Sequence, residues 1–323
     1  MKRPVLKVSI GWIFAIFCTL SLAQQDFPMK PLRMVVPYPP GASTDSLGRI
    51  VSQKISANMG QPVVVDNKGG ASGNIGSDYV AKSPADGYTL MVGTDATHTA
   101  NMYLTAAPTF HPIKDFTALT QAVANPIVLV VHPGIPAKNL SELIAFGKQR
   151  PDQLSYGSSG TGSPHHLAGE LLKQFTGMPF VHVAYKGGAP AVSDLMGGQI
   201  PMVFASLITV LPHIKSGKLK AIGFTQTTRY PGLPQVPTFS ETLPGFEMNS
   251  WLGFFAPAKL PPAVTKRLHA ELVKALRDPD ITAKLDTMGL GVVANTSEEF
   301  SEQVRKEFEQ RGKLIQQAGI KPE

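Results

Sequence analysis

The chain has 323 residues, 43% of them hydrophobic and 16% charged, a size and balance that can bury the core of one large domain or of two smaller lobes. Such a composition excludes a disordered or fibrous chain. The formal net charge of +7 comes without a dense Lys/Arg run or an aromatic-studded basic stripe, which excludes nucleic acid as a partner and leaves a mild bias toward small anions.

The chain opens with Lys2, Arg3 and Lys7, then an apolar run from Val8 to Leu22, then Ala23. That is the layout of a secretory signal, so residues 1–23 are expected to be removed on export to the periplasm. The run falls short of the ~20 apolar residues that a membrane span needs. The bulky Phe17 before Cys18 argues against lipid attachment. Losing Lys2, Arg3 and Lys7 takes the net charge from +7 to about +4, and the only cysteine goes with them. The mature chain then has no thiol and needs no disulfide.

From Arg33 onward, short apolar runs alternate with helical patterns. Met34 to Val36, Val63 to Val65, Tyr88 to Val92 and Ile127 to Val131 read as buried strands, followed by VHVAY from Val181, PMVFA from Pro201, LKAIGF from Leu219 and WLGFFA from Trp251. Ser43 opens a helix with Leu47, Ile50, Val51, Ile55 and Met59 inward, closed by Gly60. Ser163 and Pro164 open a second with Leu167, Leu171, Leu172 and Phe175 inward, closed by Gly177. Pro262 begins a third along Val264, Leu268, Leu272 and Leu276, and Thr296 to Glu299 forms a capping box ahead of Phe300, Val304 and Phe308. Buried strands separated by helices give an α/β fold.

One arrangement occurs twice, at VVPYPPGASTD from Val35 and at LSYGSSGTGSPHH from Leu154: a strand, a loop of small and hydroxyl residues, then a helix. Two such units predict two similar lobes around a cleft. The Pro-rich stretch from Tyr230 to Pro244 reads as a connection and not as a core element. A helix start offers unpaired N–H groups and the positive end of the helix dipole, so it receives a carboxylate or phosphate without a formal cation. In the first loop Gly41 and Ala42 admit close backbone approach while Ser43 and Thr44 add hydroxyls, and Asp45 either stabilises the dipole or orients the loop. Gly160, Thr161, Gly162 and Ser163 repeat the pattern. Each loop also fits an ordinary helix cap. Asp95, Thr97 and His98 follow a predicted strand, where open α/β sheets place ligands.

Other chemistries fit less well. VVVDNKGGASGNIGSDYVA has Gly70, Gly73 and Gly76 but no G-x-G-x-x-G, so no dinucleotide cofactor is expected. His165 and His166 are adjacent and point apart on a helix; His166 and Glu170 are four apart, but the mature chain has neither H-E-x-x-H nor a cysteine, so no metal is expected. A serine hydrolase would need G-x-S-x-G, which GSSGTGS lacks. His165 reads as a ligand-facing or capping residue.

Over residues 34 to 257 the chain resembles the Bug family, the substrate-binding proteins of tripartite tricarboxylate transporters. The matching segments are PYPPGASTD, the VVVDNKGGASGNIGSDYVAKSPADGYTLMVGT run, YGSSGTGSPHHLAGELL, VAYKGGAPAVSDLMGGQI, PTFSE and WLGFFAPA. The resemblance implies a type II periplasmic-binding fold of two α/β lobes, joined by crossing strands and closing on a ligand. It implies residues 24–123 as the first part of lobe 1, 124–249 as lobe 2, and 250–323 as a return to lobe 1 with C-terminal helices. It implies a monomer that binds a small carboxylate without cofactor or metal and delivers it to a membrane permease, with no catalytic residues. The candidate ligand residues are Tyr38, Gly41, Ala42, Ser43, Thr44, Asp45, Thr94, Asp95, Ser158, Ser159, Thr161, Gly162, Ser163, His165 and Ser206. Two departures stand out: Gly41-Ala42 replaces the family's Gly-Gly, and Ala205-Ser206 replaces an acidic or amide residue. Without that carboxylate a ligand ammonium group is disfavoured. A solute sensor, an exported serine hydrolase and the effector domain of LysR-type regulators are the alternatives; the last would need a DNA-binding helix-turn-helix where the signal stands.

Overall fold

A computed structural model describes residues 27–150 and 154–322; the proposed signal segment lies outside them. The strands build two sheets. The first runs β11-β4-β10-β3-β1-β2, from β1 (Leu32–Val36), β2 (Val63–Asn67), β3 (Thr89–Thr94), β4 (Phe116–Ala124), β10 (Trp251–Pro257) and β11 (Gly291–Val292). Its β1, β2 and β3 are parallel, whereas β10 lies antiparallel to both β3 and β4. The second runs β7-β6-β8-β5-β9, from β5 (Ile127–Val131), β6 (Ser155–Ser158), β7 (Val181–Ala184), β8 (Met202–Ser206) and β9 (Lys220–Phe224). Each sheet carries apolar clusters on both faces, which defines two α/β lobes.

Helices α1 (Ser43–Met59), α8 (Pro262–Leu276) and α9 (Pro279–Thr287) cover one face of the first sheet, where Leu47, Val51, Leu268 and Leu272 meet Met34, Val92 and Phe254. On the other face α2 (Asn74–Ala81) and α10 (Ser297–Gln317) supply Val80, Phe300 and Val304 against Val35, Met91, Trp251 and Phe255. Each such side chain contributes roughly 1.5–3 kcal/mol on burial. The predicted capping box opens α10: Thr296 accepts from the Glu299 N–H while Glu299 accepts from Thr296. In the second lobe α4 (Leu140–Gln149) and α5 (Pro164–Thr176) lie on one face, α6 (Gly188–Met196) and α7 (Leu207–Lys215) on the other. Among the described residues no helix is long and apolar enough to cross a membrane.

The chain passes between lobes where β4 gives way to β5 and again ahead of β10. The two passages are tied together: the Asn125 N–H donates to the Ser250 carbonyl at 2.9 Å, and Thr225 donates to Ile127 and receives from Met248. The lobes also touch away from this hinge. Ala100, Tyr103 and Leu104 of the first lobe, with Leu314, Ile315 and Ile320 at the end of the chain, pack into the second lobe's core.

Several expectations need correction. Val63 to Val65 is not a buried strand, because β2 is the sheet's edge and Val64 is 56% exposed. VHVAY is likewise an edge strand, with Val181 at 62%. Phe175 is 40% exposed on α5, although Leu167 and Leu172 are buried as expected. Ser43 is the first helical residue of α1, whose cap is Ala42 with no side-chain hydrogen bond. The Pro-rich connection forms no strand but is part of the core, since Leu233, Val236 and Phe239 are buried. Strands β4 and β11 and helices α2, α4, α6, α7 and α9 were not anticipated.

Candidate functional site

A cleft of about 750 Å3 lies between the lobes. Its first wall begins where β1 and β3 end, at the carboxyl ends of parallel strands. The Tyr38 hydroxyl bonds to the Ser72 carbonyl and to Thr94 Oγ1, each at 3.3 Å. Burial pushes that phenol up to about 12. Thr94 is tied in turn to Thr97, which exchanges backbone and hydroxyl bonds with it at 2.9–3.1 Å, and Thr97 bonds His98 Nδ1 at 2.9 Å.

The glycine-rich segment after β2 forms the next part of this wall. Ala71 and Ser72 hold φ of 45° and 55°, left-handed values that cost an L-residue about 1–2 kcal/mol. Gly73 follows at φ 95°, where a Cβ would meet Thr97 Cγ2 at 2.7 Å. The strained turn is fixed by Asn101, whose amide donates to the Ser72 carbonyl at 2.8 Å and to Asn74 Oδ1 at 2.9 Å; Asn74 donates to Thr105 at 2.9 Å. A π-turn over Ala96–Ala100 brings Ala96 and Asn101 to the cleft, and Leu104 and Thr105 complete the wall. Such π-turns occur frequently at functional sites.

The facing wall is the loop from Ser159 to Pro164 with Ala184 to Lys186. Gly160 and Gly162 take φ of 131° and 74°, open to glycine alone at low cost. Most donors of this loop are already committed. Gly160 N–H meets Ser158 Oγ at 3.1 Å, Gly162 N–H meets His166 Nδ1 at 2.9 Å, and Ser163 caps α5 through the His166 N–H at 3.2 Å. The Thr161 side chain stays exposed to the cleft. Behind the loop, the His166 and His182 rings stack at 3.8 Å and His182 bonds Ser158 at 2.6 Å. Burial, reinforced by His166, holds His182 down at about 4. Burial alone would raise Glu170, but hydrogen bonds from His166, Tyr156 and Lys173 outweigh it and hold that carboxyl at about 2.

Of the predicted residues the structure brings Tyr38, Ser159, Thr161, Gly162 and Ser163 to this cleft. Gly41, Ala42, Ser43, Thr44 and Asp45 are not part of its lining. Asp45 is the organiser of that first loop. It accepts from the Gly41 N–H at 3.0 Å, Arg49 Nε at 3.0 Å and Asn67 Nδ2 at 2.9 Å, and these outweigh burial to lower its carboxyl. His165, buried and pushed down to about 4, spans from Ser159 Oγ at 2.7 Å to Ser206 Oγ at 3.2 Å. From Ser206 a polar chain runs through Asn125 to Ser250 and on to Asp95, with contacts of 3.2–3.4 Å. Asp95 is buried and is not part of the cleft lining. Burial raises it to about 7 against the opposing pull of Arg311 and with the help of Glu307.

Ser159 with His165, and Ser158 with His182, are serine–histidine pairs of the kind hydrolases use. Their histidines, held near 4, are poor bases at neutral pH. The second nitrogen of His165 faces Ser206 and not the carboxylate that orients a catalytic imidazole. Among the described residues no group of three or more His, Cys, Asp or Glu is placed to hold a metal ion. Sequence reasoning missed Ala71, Ser72, Asn74, Asn101, Thr105, Tyr185, Lys186 and Lys321. The first three lie in the glycine run, which carries part of the family resemblance but from which no site residue was expected.

Two lobes tied by paired crossing segments, with a polar cleft between them at strand ends, are the architecture of a solute-binding receptor. A family model described as the tripartite tricarboxylate transporter family receptor matches residues 47–320, and the chain belongs to that family. It is 38% identical over 313 residues to the UPF0065 protein in the tcbD-tcbE intergenic region of Pseudomonas sp. strain P51, covering 96% of this chain and 93% of that one. Among solved structures, R. palustris Rpa4515 with adipate is 34% identical with a TM-score of 0.82, covering 92% of this chain and 100% of that one. MatC (Rpa3494) from Rhodopseudomonas palustris, with bound malate, is 29% identical with a TM-score of 0.77, covering 90% and 100%.

Proposed function

We propose that the protein captures a small carboxylate without an amine between its lobes and hands it to a membrane permease of the tripartite tricarboxylate type. The observation that carries this reading is the charge of the cleft. Among the described residues its wall contains the loop that opens α5, hydroxyls and amides, and two lysines, Lys186 and Lys321, but no Asp or Glu. A helix start and cations attract an anion, and a wall without carboxylates gives a ligand ammonium nothing to pair with. The relatives that hold adipate and malate support the same class of solute. Export through residues 1–23, with cleavage near Ala23 and a hinge near residues 124 and 250, fits this role. Binding follows capture by closure, in which ligand favours the state with both walls in contact, and no catalysis is involved.

Thr161 offers the cleanest test, because it faces the cleft and no cap of α5 depends on it. Thr161→Trp should leave the melting temperature of the ligand-free protein unchanged and abolish the stabilisation that a binding carboxylate gives the wild type. Undiminished binding in that variant would place the site elsewhere.

A further inference from the structure

The two cations of the cleft come from parts of the chain that the binding loops do not include, and in both the backbone is held in place while the side chain is exposed. Lys186 follows β7, and its neighbours fasten it to the second loop: Tyr185 N–H donates to the Ser158 carbonyl and Gly187 N–H to the Ser159 carbonyl, each at 3.2 Å. The Tyr185 hydroxyl also donates to Asp194 at 2.8 Å. Lys321 lies beyond the end of α10. There Ala318 N–H returns to the Leu314 carbonyl, Gly319 turns at φ 67°, and Ile320 N–H closes on the Ile315 carbonyl at 3.2 Å, a left-handed helix stop. Ile320 packs on the second lobe's core. The tail is therefore pinned across the lobes, with its next residue, Lys321, in the wall of the cleft. Neither lysine has a carboxylate partner among the described residues.

We propose that Lys186 and Lys321 are specificity-determining residues that together receive a second anionic group of the ligand, so that the C-terminal tail is part of the binding site. This rests on the reading of the cleft as a carboxylate site. The loop at the start of α5 serves one carboxylate, and the two exposed lysines in the same cleft wall add positive charge that favours a solute with a second anionic group. The anchor of the tail is in the second lobe's core, whereas the start of α10 packs on the first lobe's sheet.

The test is calorimetric titration of the purified protein with malate, adipate and citrate, and with butyrate and hexanoate as partners carrying a single carboxylate. Wild type, Lys186→Gln, Lys321→Gln and the double variant are compared, with the ligand-free melting temperature as the fold control. Each single substitution is expected to weaken the best di- or tricarboxylate roughly ten- to a hundredfold, as for loss of a hydrogen bond to a charged group. The double variant should erase the preference over the monocarboxylates, whose own affinity stays unchanged. Equal losses for both ligand classes, or no loss with Lys321→Gln, overturn the proposal while leaving the carboxylate cleft standing. Absence of binding by every acid to the wild type overturns both.

Discussion

Gly162 reports on lobe closure, because the space for its missing side chain is occupied by the opposite lobe. A Cβ there would come within 2.3 Å of Leu104 Cδ1 and 3.3 Å of Leu104 Cγ. Rotation about the Leu104 Cβ–Cγ bond moves the first atom and leaves the second in place. Gly162→Ala therefore carries two costs. The left-handed backbone, φ 74°, costs alanine about 1–2 kcal/mol whether the lobes are together or apart. The overlap with Leu104 adds about 1–3 kcal/mol only while the lobes touch. Ligand affinity should fall by the second amount, roughly 5- to 150-fold, while the melting temperature falls by the first. Calorimetric titration of Gly162→Ala, Leu104→Ala and the double variant separates them. Leu104→Ala is expected to restore most of the affinity lost in Gly162→Ala, with a coupling of about 1–3 kcal/mol. Additive losses would refute the reasoning, since they would mean that Gly162 and Leu104 do not meet in the bound state.

Asp45→Ala leaves the Gly41 and Asn67 donors without their partner and should cost about 2–4 kcal/mol of stability at neutral pH, read by urea denaturation. Because the folded-state carboxyl is lowered, the Asp45 contribution is present above the ordinary carboxylate range and is lost as pH falls through its folded value, so wild type and variant should converge in acid. Asp95 behaves oppositely. Its folded value of about 7 lies above the ordinary carboxyl value of 3.8, so wild-type stability from this group is full in acid and falls as pH rises through 7, by at most roughly 4 kcal/mol. Asp95→Asn, which keeps an acceptor for Ser250, should flatten that decline between pH 4 and about 7, and parallel stability curves would count against it.

What the sequence conveyed depended on how local the determinant was. The caps at Ser163 and Thr296 and the apolar runs of β5 and β10 were legible because each is set by neighbouring residues. Strand β4 escaped notice because Thr117, Thr120 and Gln121 interrupt its apolar run; its place beside β10 is set by pairing with a strand more than a hundred residues away. The edge positions of β2 and β7 were hidden for the same reason, since a run of valines reads alike at the edge and the centre of a sheet. At the site, the hydroxyl and glycine loop before α5 was visible as a pattern. Asn101, Thr105 and Lys321 were not, because a π-turn and the end of the last helix bring them in from segments with no motif of their own. Asp45 could be narrowed only to two roles, and the hydrogen bond from Asn67, twenty-two residues on, makes it the loop's organiser.

The claim that matters most is that the cleft selects carboxylates without amines, and direct titration of the purified protein tests it. The panel comprises mono-, di- and tricarboxylates, aromatic acids, amino acids and nicotinamide cofactors, read by calorimetry and by melting temperature. One class of amine-free carboxylate should bind with a stoichiometry of one and, at a hundredfold its Kd, add about 2.7 kcal/mol of stability. Binding of amino acids or cofactors with silence from every amine-free carboxylate would contradict the account.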